Sequence, residues 1–555
     1  MAEETLAVIT SFAQQSLWLQ NQIDPGRSAY NVVAGVRLRG RLDVPALTSA
    51  LNAVMDRHEA LRTVFRLDRG VPVQVIGPVA PLEIPVAEVR EDQVDDLVQQ
   101  EIESPFDLAT GPLLRLRLLR LSAEHHIAVL VMHHIITDGE SSEILLRELL
   151  LHYAAERAGE SLELPELPIQ YADFAVWQRE TLRAGYLGRL KAYWSERLTG
   201  AAPLTLPAAP PTANGTAPRG ATYRFTVPGA LREGLETLAR ERNATLFMAL
   251  LAGFDVLLAR HCRQDDITVL SPVSGRHRSE LEGLIGYFVN PLLLRVDLSG
   301  DPGALEVLDR VQATCLGAYD HQELPFEQAV NLAGRPGASR ERAPLDQVMM
   351  VLQSTRPDHW QVADLRFEPV PVGMGAAKAA LLLDLRPDAN GLHGVLEYDA
   401  DRFDAAAVAG MADDLLAVWA WLAERSALPL SRVPGLSGPS AARATEQPAA
   451  PSGPAAQAAV PVPYVAPRTP LEEEVARIWA ELLELERVGV YDNFFDLGGQ
   501  SLTAVRLTAR LRDEFGLDLA VRQLYGNFTV EEVAWRALQQ LAAEGDLDED
   551  APSPA

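Results

Sequence analysis

Cysteine is nearly absent: Cys262 and Cys315 are the only two among 555 residues. Their separation fits no metal-ligand motif, and two cysteines are too few for a disulfide framework. Long hydrophobic runs are also missing, since none approaches the ~18 residues that a membrane helix needs. Residues 1–10 are acidic rather than basic, so they do not look like a secretion signal. We therefore expect a cytoplasmic protein that binds no metal and has no membrane partner.

Positive charge is scarce relative to negative charge, with 49 lysines and arginines against 76 aspartates and glutamates. The net charge of −27 argues against binding to nucleic acid or to an anionic membrane surface. With 48% hydrophobic residues, the composition is nevertheless that of a globular protein. Because a single hydrophobic core stops growing at about 250–300 residues, we expect at least three folding units.

One stretch, residues 133–139 (HHIITDG), combines residue types that proton-transfer chemistry uses. The apolar residues 127–131 before it predict a buried strand, and the leucine-rich residues 144–150 after it repeat at helical spacing. A loop between a strand and a helix projects side chains toward a cleft at the sheet edge. Histidine is the side chain best suited to moving protons near neutral pH. The pattern alone also permits two loop histidines with ordinary hydrogen bonds.

Alternating helical and strand-like patterns predict that residues 1–433 form two α/β lobes, 1–175 and 176–433. In the first lobe we predict three helices: one that begins at Ser11, an amphipathic one over 43–57, and one that follows the 133–139 motif and is capped by Thr137 or Ser141. We also predict strands at 32–38, 71–76, 113–121 and 127–132. In the second lobe we predict a two-residue hairpin turn at Asn390-Gly391, strands at 222–227, 267–273, 381–385 and 394–398, and helices at 231–242, 246–259 and 405–425.

Residues 434–466 consist largely of alanine, proline, serine and glycine, which predicts a flexible linker. Residues 467–544 are helical in pattern: Thr469 and Glu472 form a capping box before an apolar stripe, and further helices are predicted at 501–515 and 530–541. Three main helices in about 80 residues predict a small all-α bundle. The acidic residues 545–555 predict a disordered tail.

Residues 492–501 (DNFFDLGGQS) resemble the phosphopantetheine attachment site of peptidyl carrier proteins. The resemblance implies that Ser501 carries 4′-phosphopantetheine. The residue chemistry agrees, because a serine at a helix start presents its hydroxyl to solvent, and a phosphodiester there meets the positive end of the helix dipole. The alternative is a Gly-Gly turn capped by serine.

Residues 1–433 resemble a condensation domain of nonribosomal peptide synthetases, a family built from two chloramphenicol-acetyltransferase-like lobes. Six stretches match the family's motifs in order: residues 11–18, 57–65, 133–139, 171–178, 285–290 and 321–327. The resemblance implies an α/β two-lobed condensation fold, followed by the all-α carrier bundle.

The resemblance also implies a role for each polar residue of the 133–139 motif. His134 occupies the catalytic position, either as the base that takes a proton from the attacking amine or as the group that positions this amine. His133 supports the loop. Gly139 permits the tight turn, and its N–H can face the developing oxyanion.

Asp138 resembles the family acid that forms a structural salt bridge. We expect its partner to be Arg276 of the other lobe, with Arg62 as the second choice. Two residues depart from the family pattern: Glu140 stands where an aromatic residue often follows the Asp-Gly, and Pro291 stands where threonine is more usual. Both departures bear on tunnel shape or acceptor preference, and neither removes the catalytic histidine.

Several related activities are disfavoured. The 133–139 motif has neither the Asp-xxxx-Asp form of heterocyclisation domains nor the His-Arg form of recruitment domains, and in epimerisation domains the carrier precedes rather than follows. A plant-type acyltransferase would carry an Asp-Phe-Gly-Trp-Gly motif, which this sequence lacks, and would not need Ser501. Adenylation and thioesterase signatures are absent, so a partner has to load the carrier.

We therefore predict an acyltransferase, an amide-forming condensation–carrier didomain. The amine of an aminoacyl group on the Ser501 arm attacks an acyl or peptidyl thioester, and the product stays on this chain. The implied partners are an upstream donor carrier, an adenylation enzyme, a phosphopantetheinyl transferase and the carrier-bound acyl and aminoacyl substrates. Two alternatives stay open: the carrier holds the donor for a soluble amine or alcohol, or the chain is a non-catalytic carrier-delivery protein.

Overall fold

A computed structural model describes residues 6–433 and 464–543, with internal gaps. The gaps in the first range are residues 25, 27, 183–184, 209–218, 334–344, 346, 354–359, 363, 371–378, 389 and 426–427. Those in the second range are residues 484, 495–496, 498–506, 508–509, 512–513 and 516–528. The predicted linker therefore lies almost entirely outside the described residues, as do Ser501 and the tail.

Strands and helices alternate along the described chain. The strands are β1 (Leu6–Ile9), β2 (Asn31–Arg39), β3 (Thr63–Asp68), β4 (Val71–Ile76), β5 (Val86–Glu88), β6 (Leu114–Ser122), β7 (His125–His133), β8 (Gly220–Pro228), β9 (Asp266–Val273), β10 (Asn290–Asp297), β11 (Val348–Leu352), β12 (Trp360–Val362), β13 (Leu365–Val370), β14 (Leu381–Pro387) and β15 (Gly391–Asp399). The α-helices are α1 (Phe12–Ile23), α2 (Val44–Arg57), α3 (Val94–Glu103), α4 (Gly139–Ala158), α5 (Tyr171–Thr181), α6 (Gly185–Leu198), α7 (Gly229–Glu241), α8 (Leu246–Cys262), α9 (Ala304–Tyr319), α10 (Phe326–Ala333), α11 (Ala405–Ala423), α12 (Pro470–Leu483) and α13 (Val530–Ala543).

The first lobe is built on a six-stranded sheet in the order β12-β13-β2-β7-β6-β5. Strand β7 pairs antiparallel with β2 along its whole length, so that His133 lies opposite Asn31 at the end of the strand. Buried Leu51 and Val54 of α2 and Leu145 of α4 share the core with this sheet. The 133–139 motif therefore begins where a central strand leaves a packed sheet.

The second lobe contains the other six-stranded sheet, in the order β10-β9-β11-β14-β15-β8. Helix α8 is apolar on nearly every face and is buried from Met248 to Ala259, as expected for a helix packed on all sides. Residues 360–370 return to the first lobe, where β12 and β13 extend its sheet beside β2. The lobe boundary between residues 175 and 176 stays a prediction. Strands β12 and β13 follow this boundary in the sequence but belong to the sheet of the first lobe.

Helix α11 is the longest apolar helix in the described part of the second lobe, although Asp413 and Asp414 interrupt its apolar residues. It has 19 residues and a mean hydropathy of 1.4, so length and composition alone would suffice for crossing a membrane. Half of this stretch is buried, and Val408, Leu415 and Trp419 contribute to the second lobe's core. The core helix of a soluble protein passes the same test.

Two local predictions were wrong in detail. The hairpin at Asn390 exists, but β14 ends at Pro387 and β15 begins at Gly391, so the glycine belongs to the strand. A Cβ at Gly391 would lie 2.1 Å from the Val227 carbonyl oxygen, so close approach of β8 requires glycine here. Helix α4 is capped by Asp138, whose carboxylate accepts from the Ser141 N–H at 2.8 Å, rather than by Thr137 or Ser141.

The carrier part has its own hydrophobic core. Trp479 of α12 packs edge-to-face on Phe494, with the ring centroids 5.0 Å apart, and Val533 of α13 is buried in the same cluster. The capping box is present as predicted: Thr469 Oγ1 accepts from the Glu472 N–H, and the Glu472 carboxylate accepts from the Thr469 N–H.

Candidate active site

His134 opens a single 3₁₀ turn between β7 and α4. Its Nδ1 lies 2.7 Å from the Thr137 carbonyl oxygen, which can only accept, so Nδ1 carries the proton. The lone pair of the neutral ring is therefore on Nε2. The side chain is half-buried, and its ring centroid lies 4.8 Å from that of Tyr287 in the second lobe. His134 is thus a fixed imidazole whose Nε2 can accept a hydrogen bond or a proton.

His133 has a different environment. Its Nδ1 accepts from the Ile135 N–H at 3.1 Å, and its ring is buried near Tyr30 and Phe106. Burial lowers the pKa of His133 to about 3, so the ring stays neutral under ordinary conditions. Within the described chain its Nε2 has no hydrogen-bond partner. These contacts are those of a residue that supports the turn.

The Asp138 carboxylate is fully buried and pairs with Arg276, whose Nη1 lies 2.8 Å from Oδ2 and whose Nη2 lies 3.1 Å from Oδ1. Besides capping α4 it accepts from the Phe288 N–H at 3.1 Å. The guanidinium lies over the Phe288 ring, 4.2 Å from its centroid. The second-choice partner, Arg62, instead donates to the Gly77 carbonyl and pairs with Glu59. A bidentate ion pair thus joins the motif loop to the second lobe.

Ser141 is a site residue that the sequence did not reveal. Its hydroxyl accepts from the Gly286 N–H at 3.0 Å and donates to the Gly286 carbonyl at 2.8 Å, and Arg276 Nη2 lies 2.8 Å away. A Cβ at Gly286 would lie 1.9 Å from the Tyr171 ring, so only glycine fits. Because serine is common at helix starts for other reasons, nothing in the sequence separated this role from ordinary capping.

Four of the six sequence motifs meet at this point. The Tyr171 hydroxyl lies 2.9 Å from the Ser11 hydroxyl and donates to the Tyr287 carbonyl at 2.5 Å. Gln14 of α1 donates to the Ile135 carbonyl within the 134–136 turn at 3.3 Å. Motifs that are far apart in sequence are therefore joined by hydrogen bonds around His134.

The 133–139 motif is open to solvent at Gly139. This residue is exposed, and a Cβ built on it would meet no atom within 4 Å. The neighbouring Glu140, half exposed, has a carboxylate 3.3 Å from Arg276. Burial raises the pKa of Glu140, and the nearby guanidinium partly offsets this shift. A reacting group can approach the start of α4, with a carboxylate at its edge.

Comparison with known proteins identifies the family of this chain. The family model for the condensation domain matches residues 5–441, and that for the phosphopantetheine attachment site matches residues 473–535. The chain belongs to the condensation-domain family. The predicted order, a condensation domain followed by a carrier domain, is confirmed. The second match also confirms phosphopantetheine as the cofactor of the carrier domain. Ser501 as its attachment residue stays a prediction.

Curated relatives of this condensation–carrier chain include large synthases and synthetases. Chondramide synthase cmdD of Chondromyces crocatus is 39% identical over 417 residues, 74% of this chain and 11% of that protein. Phosphinothricin tripeptide synthetase PhsB of Streptomyces viridochromogenes is 37% identical over 449 residues, 78% of this chain and 37% of that protein. The chain thus spans well under half the length of these curated relatives.

Solved structures confirm the predicted fold class. The X-domain from teicoplanin biosynthesis aligns with a TM-score of 0.70 at 29% identity, covering 78% of this chain and 98% of that one. SgcC5 from Streptomyces globisporus aligns with a TM-score of 0.63 at 30% identity, covering 76% of this chain and all of that one. The first condensation domain of the calcium-dependent antibiotic synthetase, at 20% identity and a TM-score of 0.65, covers 78% of this chain and all of that one and shares the fold.

The buried His133 predicts a pH dependence of stability. Its folded pKa is about 3, whereas an unfolded histidine titrates near ~6.5. The unfolded chain therefore binds a proton that the folded chain does not, and stability present above pH ~6.5 is lost as the pH falls from there toward 3. At pH 5 the loss from this group is about 2 kcal/mol.

Urea unfolding of the full chain at pH 7 and pH 5 measures this effect. In His133→Asn the amide oxygen can still accept from the Ile135 N–H, but the side chain no longer titrates. We expect the decline in unfolding free energy between the two pH values to be smaller by about 2 kcal/mol than in wild type. An equal decline in both proteins would show that protonation of His133 does not cause the loss of unfolding free energy.

Proposed function

We propose that this chain joins an acyl or peptidyl group from an upstream carrier to an aminoacyl group on its own carrier, forming an amide. The observation that carries the proposal is the 134–136 turn, in which the Thr137 carbonyl fixes the tautomer of His134, followed by an exposed Gly139 at the start of α4. The phosphopantetheine attachment domain follows in the same chain. Catalyst and tethered reactant are then parts of one molecule, which raises the effective concentration of the amine.

Each group in the site has a separate role in this reaction. Phosphopantetheine, when bound to Ser501, supplies the thiol that holds the aminoacyl group. His134 Nε2 accepts a hydrogen bond or a proton from the amine, which attacks the thioester carbonyl carbon; the C–N bond forms, the C–S bond breaks, and the thiol leaves with a proton. The amine has a pKa near ~8 and is partly neutral at cellular pH, so positioning by His134 can suffice.

The other site residues keep this geometry. The Asp138–Arg276 pair holds the start of α4 against the second lobe. The backbone N–H of Gly139, at the first position of α4, supplies a donor for the oxyanion that develops on the carbonyl. His133 stabilises the 134–136 turn by accepting a hydrogen bond from the Ile135 N–H.

The partners follow from the domain content. A phosphopantetheinyl transferase installs the arm, and an upstream carrier delivers the donor. An adenylation enzyme that acts in trans loads the aminoacyl group. We place the protein in the cytoplasm, where these partners and their nucleotide substrates are found.

Intact-protein mass spectrometry tests the proposal. The chain is converted to its phosphopantetheinylated form, loaded with an aminoacyl group and mixed with an acylated donor carrier. We expect its mass to increase by that of the donor acyl group, and Ser501→Ala to accept neither aminoacyl nor acyl group. A loaded chain whose mass does not change would contradict the proposal.

One observation favours a second candidate. SgcC5, which this chain matches over the whole SgcC5 length, was solved in complex with a naphthyl ethanediol, an alcohol. The carrier of this chain would then hold the donor, and a soluble amine or alcohol would be the acceptor. When the loaded chain is instead mixed with a soluble amine or alcohol, this function would release an amide or ester into solution and leave the arm on Ser501 with a free thiol.

A further inference from the structure

Tyr287 contacts the imidazole of His134, although it has no role in the reaction proposed above. The two ring centroids lie 4.8 Å apart, and the ring planes are inclined by 60°. Tyr287 belongs to the second lobe, but its side chain packs against the core of the first lobe. It keeps some accessible surface, whereas its neighbours Gly286 and Phe288 are buried. Of these three residues, Tyr287 is the one that both contacts the imidazole and remains partly accessible.

Hydrogen bonds to the first lobe fix the backbone that carries the Tyr287 ring. The Tyr171 hydroxyl donates to the Tyr287 carbonyl at 2.5 Å. The next N–H along the chain, that of Phe288, donates to the Asp138 carboxylate at 3.1 Å. The backbone is therefore anchored on both sides of the peptide bond that follows Tyr287, which keeps the ring against His134.

The Tyr287 side chain contributes bulk rather than charge. Burial raises the pKa of its hydroxyl, so this group stays neutral. An aromatic side chain has few rotatable bonds, so a ring whose backbone is anchored forms a stiff boundary. A stiff boundary of this kind discriminates between substrates by the size of the group that has to fit beside it.

In the proposed reaction, the acceptor amine is bound at Nε2 of His134. Because every atom of an imidazole lies close to its centroid, a group held at Nε2 is also near the Tyr287 ring. The side chain of the acceptor is attached to the carbon that carries this amine, so it is the variable group nearest to the imidazole. We propose that Tyr287 is a specificity-determining residue whose ring limits the size of the acceptor side chain and favours small aminoacyl groups such as alanyl. No bond forms or breaks at Tyr287, and the inference rests on the function proposed above.

Two acceptors of different size test this inference. The arm of the full chain is loaded with an alanyl or a phenylalanyl group, an acetyl-pantetheine thioester serves as the donor, and single-turnover rates are measured by intact-protein mass spectrometry. In Tyr287→Ala we expect the ratio of the phenylalanyl rate to the alanyl rate to rise roughly 10- to 100-fold above that of wild type, because the space of the ring becomes available. Tyr287→Leu, which keeps apolar contacts with the first lobe, should give a smaller rise. Tyr287→Phe keeps the ring, so its ratio should stay within about 2-fold of wild type.

Tyr193→Ala is the matched control, because it removes a tyrosine–histidine ring contact elsewhere in the second lobe. The Tyr193 ring stacks on His321, with the centroids 3.9 Å apart. We expect this variant to keep the ratio of the two rates within about 2-fold of wild type.

Three results would overturn the inference. In the first, Tyr287→Leu folds and keeps the wild-type ratio. In the second, the Tyr287 variants slow both acceptors by the same factor, which would make the ring only a support for His134. In the third, they change the ratio between acetyl and octanoyl donors but not the ratio between the acceptors, which would place the ring on the donor side. A wild type that acylates neither acceptor would contradict the proposed function itself, and this inference with it.

Discussion

Replacing His134 with alanine should lower the single-turnover rate of amide formation roughly 100-fold or more. The imidazole is held by the Thr137 carbonyl with its lone pair on Nε2, and alanine offers no group in its place. The rate is measured by intact-protein mass spectrometry with a saturating acylated donor. Because the half-buried ring contributes little to the core, the unfolding free energy should change by less than about 1 kcal/mol.

The control for this substitution is His393→Ala, at an exposed position of strand β15, where the side chain is 62% exposed. It should leave the rate within about 2-fold of wild type. A His134→Ala protein that folds and forms the amide at the wild-type rate would remove the histidine from the mechanism.

Replacing Asp138 with alanine should lower the unfolding free energy by about 3–5 kcal/mol. The substitution leaves the Arg276 guanidinium, only 3% exposed, without its bidentate partner, and it removes the cap of α4. Because this cap and this ion pair hold the turn that carries His134, amide formation should fall as well. Urea unfolding of the full chain measures the first effect.

An exposed ion pair provides the control. Arg242 and Asp309 form a similarly close pair, but their side chains are 39% and 45% exposed, so Asp309→Ala should cost less than about 1 kcal/mol. The double variant Asp138→Ala/Arg276→Met should recover part of the lost stability, since it removes the unpaired buried charge. If Asp138→Ala cost no more than Asp309→Ala, the pair would not be what joins the motif to the second lobe.

Local sequence signals predicted much of the fold because their physics is local. Ser11 and Asp43 cap the helices that follow them, and strand β4 has the predicted bounds, since hydrophobic period and capping act over a few residues. The cap of α4 was assigned wrongly because Asp138 was considered only as an ion-pair partner. In the structure one carboxylate performs both tasks.

Other features depend on contacts between distant residues. The return of β12 and β13 to the first sheet, the fit of Gly286 against Tyr171, and the contacts of Asn290 at the start of α10 all join segments more than 30 residues apart. No local pattern encodes such contacts. The motif resemblance pointed to the right stretches, but it could not say which residue of one stretch touches which residue of another.

Peptide-level mass spectrometry can detect amide formation on the carrier itself. The aminoacyl-loaded chain is allowed one turnover with an acylated donor carrier, digested with a protease, and the peptide that contains Ser501 is isolated. We predict that this peptide carries phosphopantetheine bearing the aminoacyl group with the donor acyl group on its nitrogen, and that His134→Ala lacks this species. A peptide that retains only the aminoacyl group in both proteins would contradict it.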